Sequence, residues 1–538
     1  MRNIKKFVAC LCAVSLVAGA ANMTAVTEAA KKPKLSTSKL TVKVGQTKKV
    51  TVKNSAKKAK VTWKSSKSTI AKIVKKTSGK SAYAKVMGVK EGTAQVSATY
   101  KLGKKKTVLK VKVTVKPGDV KAIATATATT IPAATATPAA TAAPTSSATP
   151  TTAPDIWVTT WGTAEEKNDI DTGAMSFVSL EGTTVRQIIK VTTTGNKIKF
   201  RLSNQYGKED VAIESMHIAK QGEEANKSKI DTSTDTVVTV GGEEAFSIPA
   251  GQVIETDAIS FSVNALENIA ISTYFGATPD KNITGHRGAR ATTYQIEGNG
   301  VSDEEFASPK TCKSWFFLAD VSLMQPAGSK AVVCFGDSIT DGYGTDADYL
   351  GKKPDSYTRW GDYFAKRLQA NEATKNVSVI NEGIGSNSIM GSYPTDAGKD
   401  RFERDLTQHD GVAYCIILFG VNDLDKLPDD SKFDVLKPEY EKMIALCHEN
   451  DIKVYAAPIL PFGTSSYYSE GSEAVRTKIN DWFRSAESGV DGIIDFESAV
   501  ADPANPKNVL EKYTHSDGLH PYDGYEAMAN AIDLKMFE

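Results

Sequence analysis

The sequence predicts a multidomain chain in which two β-sandwich domains precede an α/β domain built on a parallel sheet. Three observations predict it. The chain has 538 residues, enough for several domains at about 150 residues each. Residues 31–116 and 155–328 alternate apolar and polar side chains with the period of a half-buried strand, and no helical period competes in the second segment. From 329 to 538, short apolar runs alternate with helical stretches, the pattern of a parallel sheet covered on both faces. An apolar share of 41% with 24% charge excludes a disordered chain. Beyond the N-terminus no apolar run reaches the roughly 18 residues that a membrane-spanning helix needs.

Residues 1–30 read as a secretory signal. Arg2, Lys5 and Lys6 form a positive start, Phe7 to Ala21 an apolar stretch, and Ala29 and Ala30 a small-residue cleavage site. The expected product is secreted and associated with the cell wall, with no membrane span after signal removal. Cys10 and Cys12 leave with the signal. Of Cys312, Cys334, Cys415 and Cys447, three lie inside apolar runs, which suits buried thiols rather than disulfides or a zinc site.

Residues 31–116 carry 26 lysines, no arginine and one acid, Glu91, a formal +25 against −24 for residues 117–538. Val111, Val113 and Val115 face one way while Lys110, Lys112 and Lys116 face the other. Nucleic acid is excluded as a partner, because the segment lacks the Arg forks and interleaved aromatics that grip phosphates and bases. The stretches VTWKSSKSTIAKI (61–73) and VMGVKEGTAQVSA (86–98) resemble bacterial Ig-like domains of group 2. The resemblance implies a spacer or surface-attachment module with Trp63 in its core. Its lysine faces suit an anionic cell wall, and a solvated spacer is the alternative.

Residues 117–154 are the linker. Ala122–Pro154 holds 13 Ala, 11 Thr and 5 Pro, which can bury no core. At ~3.1 Å per residue such a segment reaches on the order of 100 Å. In 155–328, Ile198, Phe200 and Leu202 alternate after a Gly195-Asn196 turn, and NIAISTYF (268–275) reads as another strand. Trp157 and Trp161 are assigned to core rather than to sugar platforms, and His217 to a structural strand position. His286, in the Gly-rich loop GHRGAR, is assigned to loop structure, with a reach to the active-site rim as the alternative.

In 329–538 the expected strands are AVVCF, VSVI, AYCIILF, KVYAAPIL and GIIDF, with helices over 433–450 and 473–487. Ligands of such sheets collect at the carboxyl ends of the strands, and four polar clusters fall there: Gly336-Asp337-Ser338-Ile339-Thr340, Asn381 to Asn387, Gly420-Val421-Asn422-Asp423 and Asp517-Gly518-Leu519-His520-Pro521. Ser338 is a hydroxyl at a strand-to-helix turn, with Gly336 expected to make the bend. His520 supplies the base it needs, and Asp517 fixes the imidazole tautomer. The N–H of Ser338, a backbone N–H from Gly385-Ser386 and the Asn422 amide are candidate oxyanion donors. His409, His448 and His515 have no ligand-like spacing and are assigned surface or helix-cap roles, so neither metal nor organic cofactor is expected. Tyr467 and Tyr468 either stack on substrate or pack.

These clusters resemble the GDSL or SGNH hydrolase superfamily, at GDSIT, NEGIGSN, GVND and DGLHP. GDSITDGYGT, RFERDL, ILPFGTSSYY, INDWFR, IIDFESAV and SDGLHP resemble a subfamily of arylesterases and acylhydrolases encoded with xylan-degrading enzymes. TVRQIIKVT and KIKFRLSNQYG resemble the β domain that precedes them. The resemblance implies a three-layer flavodoxin-like α/β domain with Ser338, Asp517 and His520 as catalytic triad and Asn422 as oxyanion donor. Where the family has Gly-Gly before Asn, this chain has Gly385-Ser386, and Ser386 serves provided its torsions do not require φ > 0. The expectation is a secreted serine esterase removing O-acyl, chiefly O-acetyl, groups from plant polysaccharide such as xylan. A lipase or arylesterase acting on small or lipid esters is the alternative within catalysis, and a non-catalytic cell-surface binding protein the alternative outside it.

Overall fold

A computed structural model describes residues 32–538 apart from 44–45, 80–81, 104, 117–153, 169–178, 223–227, 394 and 516. The expected signal 1–30, with Cys10 and Cys12, lies outside the described residues, as does the linker up to residue 153. The chain divides into two compact units, Met1–Thr145 and Ser146–Glu538.

The first unit holds two four-stranded sheets around one core. Thr47–Lys53 and Ala71–Lys76 flank Tyr83–Gly88 in one sheet, while Gly92–Leu102 and Lys105–Lys116 form the long hairpin of the other. Val111, Val113 and Val115 are buried and Lys110, Lys112 and Lys116 exposed, as the alternation requires. Trp63 is buried, its Nε1 donating to the Thr77 carbonyl.

In the second unit, residues 156–325 form antiparallel sheets whose inward faces share a core containing Ile198, Phe200, Leu202, Ile269 and Ile271. Trp161 joins that core, edge-on to Trp315 at 4.9 Å. Trp157 does not. It is half-buried with the Lys199 ammonium 4.9 Å from its ring centre, because the two tryptophans sit on opposite sides of a bulge in the pairing of Ile156–Gly162 with Leu318–Gln325. All four described cysteines are free and buried.

The α/β region runs β1 (Lys330–Gly336), α1 (Ser338–Asp341), α2 (Trp360–Gln369), β2 (Val377–Gly383), α3 (Gly398–Thr407), β3 (Val412–Leu418), α4 (Lys432–Glu449), β4 (Lys453–Ala456), α5 (Glu470–Arg484), β5 (Gly492–Ile493), α6 (Phe496–Val500) and α7 (Tyr525–Asn530). Its sheet is wholly parallel, in the order β2-β1-β3-β4-β5. Because the chain leaves β2 on one side of β1 and returns to β3 on the other, a crevice opens at the carboxyl ends of β1 and β3. The register aligns those ends, with Gly336 opposite both Gly383 and Leu418.

One helix boundary and one strand end differ from expectation for local reasons. Helix α5 starts at Glu470 because the Ser469 hydroxyl accepts the Ser472 N–H as its cap. Strand β5 stops at Ile493, since Asp495 caps α6 in the same way through Ser498. The antiparallel sheets and the α/β region are joined along the β2 edge, where Thr163 bridges Asn381 in parallel and the Thr192 hydroxyl accepts the Val379 N–H at 3.1 Å. That covers an edge strand which would otherwise present unpaired backbone.

Candidate active site

The strand-to-helix turn after β1 presents Ser338 at the first position of α1. Asp337 caps this helix by accepting the Ile339 N–H at 3.0 Å. Burial pushes the Asp337 carboxyl up to about 7, the Ile339 N–H opposing the shift only in part. Gly336 does not make the bend through a left-handed backbone. A Cβ there would collide with the Thr340 hydroxyl and the Leu418 carbonyl, so glycine is required for close approach of β1, β3 and α1.

Ser338 Oγ lies 2.8 Å from His520 Nε2, and His520 Nδ1 lies 2.7 Å from Asp517 Oδ2. The other Asp517 oxygen accepts the backbone N–H groups of Leu519 and His520 at 2.9 and 3.1 Å, and the Tyr522 hydroxyl also donates to Oδ2. Burial alone would raise the Asp517 carboxyl, but the hydrogen bonds from His520, Tyr522 and Leu519 outweigh it and hold the group well below the usual carboxylate range. Asp517 therefore stays an anion, so its partner Nδ1 carries the hydrogen and Nε2 is left to accept from Ser338. The intervening Gly518 has φ of 62°, and a Cβ there would strike the Thr464 hydroxyl.

The three residues line a cleft of about 700 Å³, together with Gly385, Ser386 and Asn422. Asn422 Nδ2 donates to the Asn387 carbonyl at 2.8 Å, and Tyr467 donates to Asn422 Oδ1 at 3.3 Å. Those bonds orient the amide, whose second N–H is available to an oxyanion. The turn's own backbone bonds run from Ile384 to Gly336 and from Asn387 to Ile384, and do not consume the N–H groups of Gly385 and Ser386. Ser386 has φ of 64°, so the proviso of an ordinary backbone fails. The position keeps the left-handed geometry natural to glycine, at a cost of roughly 1 kcal/mol for a residue with a side chain.

Several sequence assignments are corrected. His409 is no surface residue: its side chain is fully buried between Asp320 at 2.9 Å and Glu382 at 2.8 Å. Desolvation would lower its pKa, but the two carboxylates prevail and raise it to about 9. His286 ends the strand Thr284–His286 and is buried away from the cleft, with Nε2 3.0 Å from Asp341 Oδ1 and Nδ1 2.9 Å from the Ala164 carbonyl. His448 and His515 are partly exposed partners of Asp491 and Asp523, and His217 pairs with Asp235 on a strand. Among the described residues no cluster of His, Cys, Asp and Glu suits a metal ion. Tyr467 is half-buried with its hydroxyl on Asn422, and the Tyr468 hydroxyl is bonded to Glu470.

Residues not anticipated from sequence surround Asp341, at the end of α1. Its carboxylate meets Arg290 and His286, while Arg359 donates to its carbonyl at 2.8 Å. Burial opposes ionisation, yet Arg290 and His286 hold the carboxyl down at about 2. Arg290 and His286 come from the antiparallel region, so that region grips the helix bearing Ser338. The usable signal was the presence of His286 and Arg290 in GHRGAR and of Asp341, the second aspartate of GDSITD.

Residues 334–526 match the GDSL-like Lipase/Acylhydrolase family. The matched segment, which contains all four polar clusters, falls in the GDSL/SGNH hydrolase superfamily. No curated protein matches the chain. Among solved structures, the chain is similar to a lipolytic protein of the G-D-S-L family from Desulfitobacterium hafniense DCB-2 (21% identity, 38% of this chain and 97% of that one, TM-score 0.29). It is also similar to a carbohydrate acetylesterase from Sinorhizobium meliloti (19% identity, 38% and 98%, TM-score 0.30) and to an aryl esterase from M. smegmatis (17% identity, 39% and 100%, TM-score 0.29).

Proposed function

We propose that the chain is a secreted serine esterase that removes O-acyl groups, chiefly O-acetyl, from plant polysaccharide such as xylan. The observation that carries this reading is the unbroken relay from Ser338 Oγ through His520 to Asp517, at 2.8 and 2.7 Å, in an open cleft. Acyl-ester hydrolysis is the chemistry of the family that residues 334–526 match.

In this mechanism His520 Nε2 takes the Ser338 proton as Oγ bonds to the ester carbonyl carbon. The carbonyl oxygen becomes an oxyanion, received by the N–H of Ser338, the Gly385-Ser386 turn and Asn422. The C–O bond to the sugar then breaks, and His520 returns the proton to the departing hydroxyl. Water, deprotonated by His520, attacks the acyl-serine and releases the carboxylic acid with Ser338 restored. Asp517 stays ionised throughout and stabilises the imidazolium. The wide, polar-walled cleft favours a short acyl group on a hydrophilic carrier over a long lipid chain. The basic Ig-like module, residues 31–116, holds the enzyme to an anionic cell wall.

Acetate release from acetylated xylan, acetylated pectin and a series of acyl chain lengths tests the reading. Wild type should prefer acetyl esters of xylan, and Ser338→Ala should release no acid above background. Preference for long acyl chains, or near-normal turnover by the alanine variant, would overturn it.

A further inference from the structure

Three tyrosines crowd the catalytic histidine. The Tyr343 ring lies 4.5 Å from the His520 ring and 6.1 Å from that of Tyr522, which is 5.8 Å from His520. Tyr349 lies close enough to act electrostatically on the hydroxyls of both Tyr343 and Tyr522. Tyr522 is buried and committed to Asp517, but Tyr343 is 41% exposed and Tyr349 69%. Single exposed aromatics are ordinary. Here two belong to one short loop segment, and the ring of the first, Tyr343, lies against the catalytic histidine.

On the far side of Tyr522 a groove of about 520 Å³ opens between the loop carrying Lys352 and Lys353 and the start of α7. Tyr363 gives it a half-buried aromatic wall, with Tyr522 and Tyr525 almost wholly buried behind it, and Lys353, Thr358 and Glu526 give it donors and acceptors of both signs. Lys352 is neutralised by Asp523 at 2.8 Å. Such mixed charge favours neither a polyanion nor a polycation, and a lining more polar than apolar suits an alkyl chain poorly. A pyranose matches it, with a C–H face for the Tyr363 ring and a rim of hydroxyls for the polar groups.

We propose that Tyr343 and Tyr349 form a stacking platform for the sugar next to the acylated one, and that the groove beyond Tyr522 takes the following unit of an uncharged polysaccharide backbone. The proposal rests on the esterase reading and adds the path of the chain. It assigns preference for oligomers to binding remote from the ester, so the gain should appear in KM.

The test compares acetate release by the full chain from acetylated xylo-oligosaccharides of increasing length with turnover of 4-nitrophenyl acetate. Wild type should gain in kcat/KM with length, through KM. Tyr349→Ala should lose about tenfold of that gain, Tyr349→Phe should keep it because the ring remains, and Lys353→Ala should lose it only for the longest substrates. If wild type shows the gain and Tyr349→Ala retains it in full, the platform is wrong while the esterase reading stands. An equal loss on 4-nitrophenyl acetate and on the oligomer would also overturn the platform, since it marks damage to the catalytic centre. If wild type cleaves 4-nitrophenyl acetate but no acetylated sugar, the polysaccharide reading fails and the platform with it.

Discussion

Asn422 and Ser386 show how much the catalytic centre depends on the orientation of single groups. The Asn422 amide is held from both ends, by the Asn387 carbonyl and the Tyr467 hydroxyl, so in the proposed mechanism it is aimed before the oxyanion forms. Asn422→Ala should cost about 2.7–4 kcal/mol of transition-state stabilisation, visible in kcat. A change confined to KM in steady-state kinetics would instead make Asn422 a substrate-binding residue. Ser386 carries the oxyanion-side turn at φ of 64°. Ser386→Gly relieves that backbone and should stabilise the folded protein by up to about 1 kcal/mol while keeping kcat. Urea denaturation beside initial rates checks it, and a fall in kcat would give the serine side chain a part in the chemistry.

At the scale of elements, the antiparallel region is fastened to the α/β region by two buried ionic clusters. One joins Arg290 and His286 to Asp341 on α1. The other joins Asp320, on the strand Leu318–Gln325, to Glu382 on β2 through His409, with Arg201 adding a second cation to Asp320. Removing one partner of such a cluster strands the others in low dielectric, which is why both read as seams. His409 gives the second seam a pH signature. Its folded pKa, about 9, lies above the ordinary 6.5, so its stabilisation is complete below pH 6.5 and is lost as pH rises through 9. The wild type should lose on the order of 3 kcal/mol across that window. His409→Gln should be less stable at neutral pH but lack this loss. Urea midpoints at pH 6 and 9.5 measure it, and a window unchanged by the substitution would mean that His409 is not the titrating group.

At the scale of the whole molecule, charge is segregated, with +25 on residues 31–116 and −24 on residues 117–538. None of the residues assigned to the active site comes from the first unit. Deleting residues 31–154 should therefore leave kcat/KM on a soluble acetyl ester nearly unchanged. The isolated 31–116 module should bind cell walls at low salt and release as salt rises, because exposed charges are screened beyond about 10 Å at 0.1 M salt. Kinetics of the truncated enzyme and pull-down at two salt concentrations test both halves. A large kinetic loss would make the module part of the active site, and salt-insensitive or absent retention would make it a spacer.

What the sequence determined by itself was whatever local pattern encodes. Periods of two and 3.6 separated the antiparallel regions from the α/β region, turn chemistry at the ends of β1 and β3 marked Ser338 and Asn422, because a parallel sheet delivers successive carboxyl ends to one crevice, and the Asp-x-x-His spacing of a late loop marked Asp517 and His520. What only the tertiary structure decided were matters between segments distant in the chain. His409 looked like a surface residue because neither Asp320 nor Glu382 is its sequence neighbour, yet both close on it. His286 reached α1 rather than the cleft, and Tyr343 met His520 and Tyr522 from a loop far away in sequence. The left-handed torsion of Ser386 belongs with these. Periodicity reports which face of an element is buried. It carries no record of what the opposite surface brings, and in this molecule that surface decides the charge on His409 and what grips the helix of Ser338.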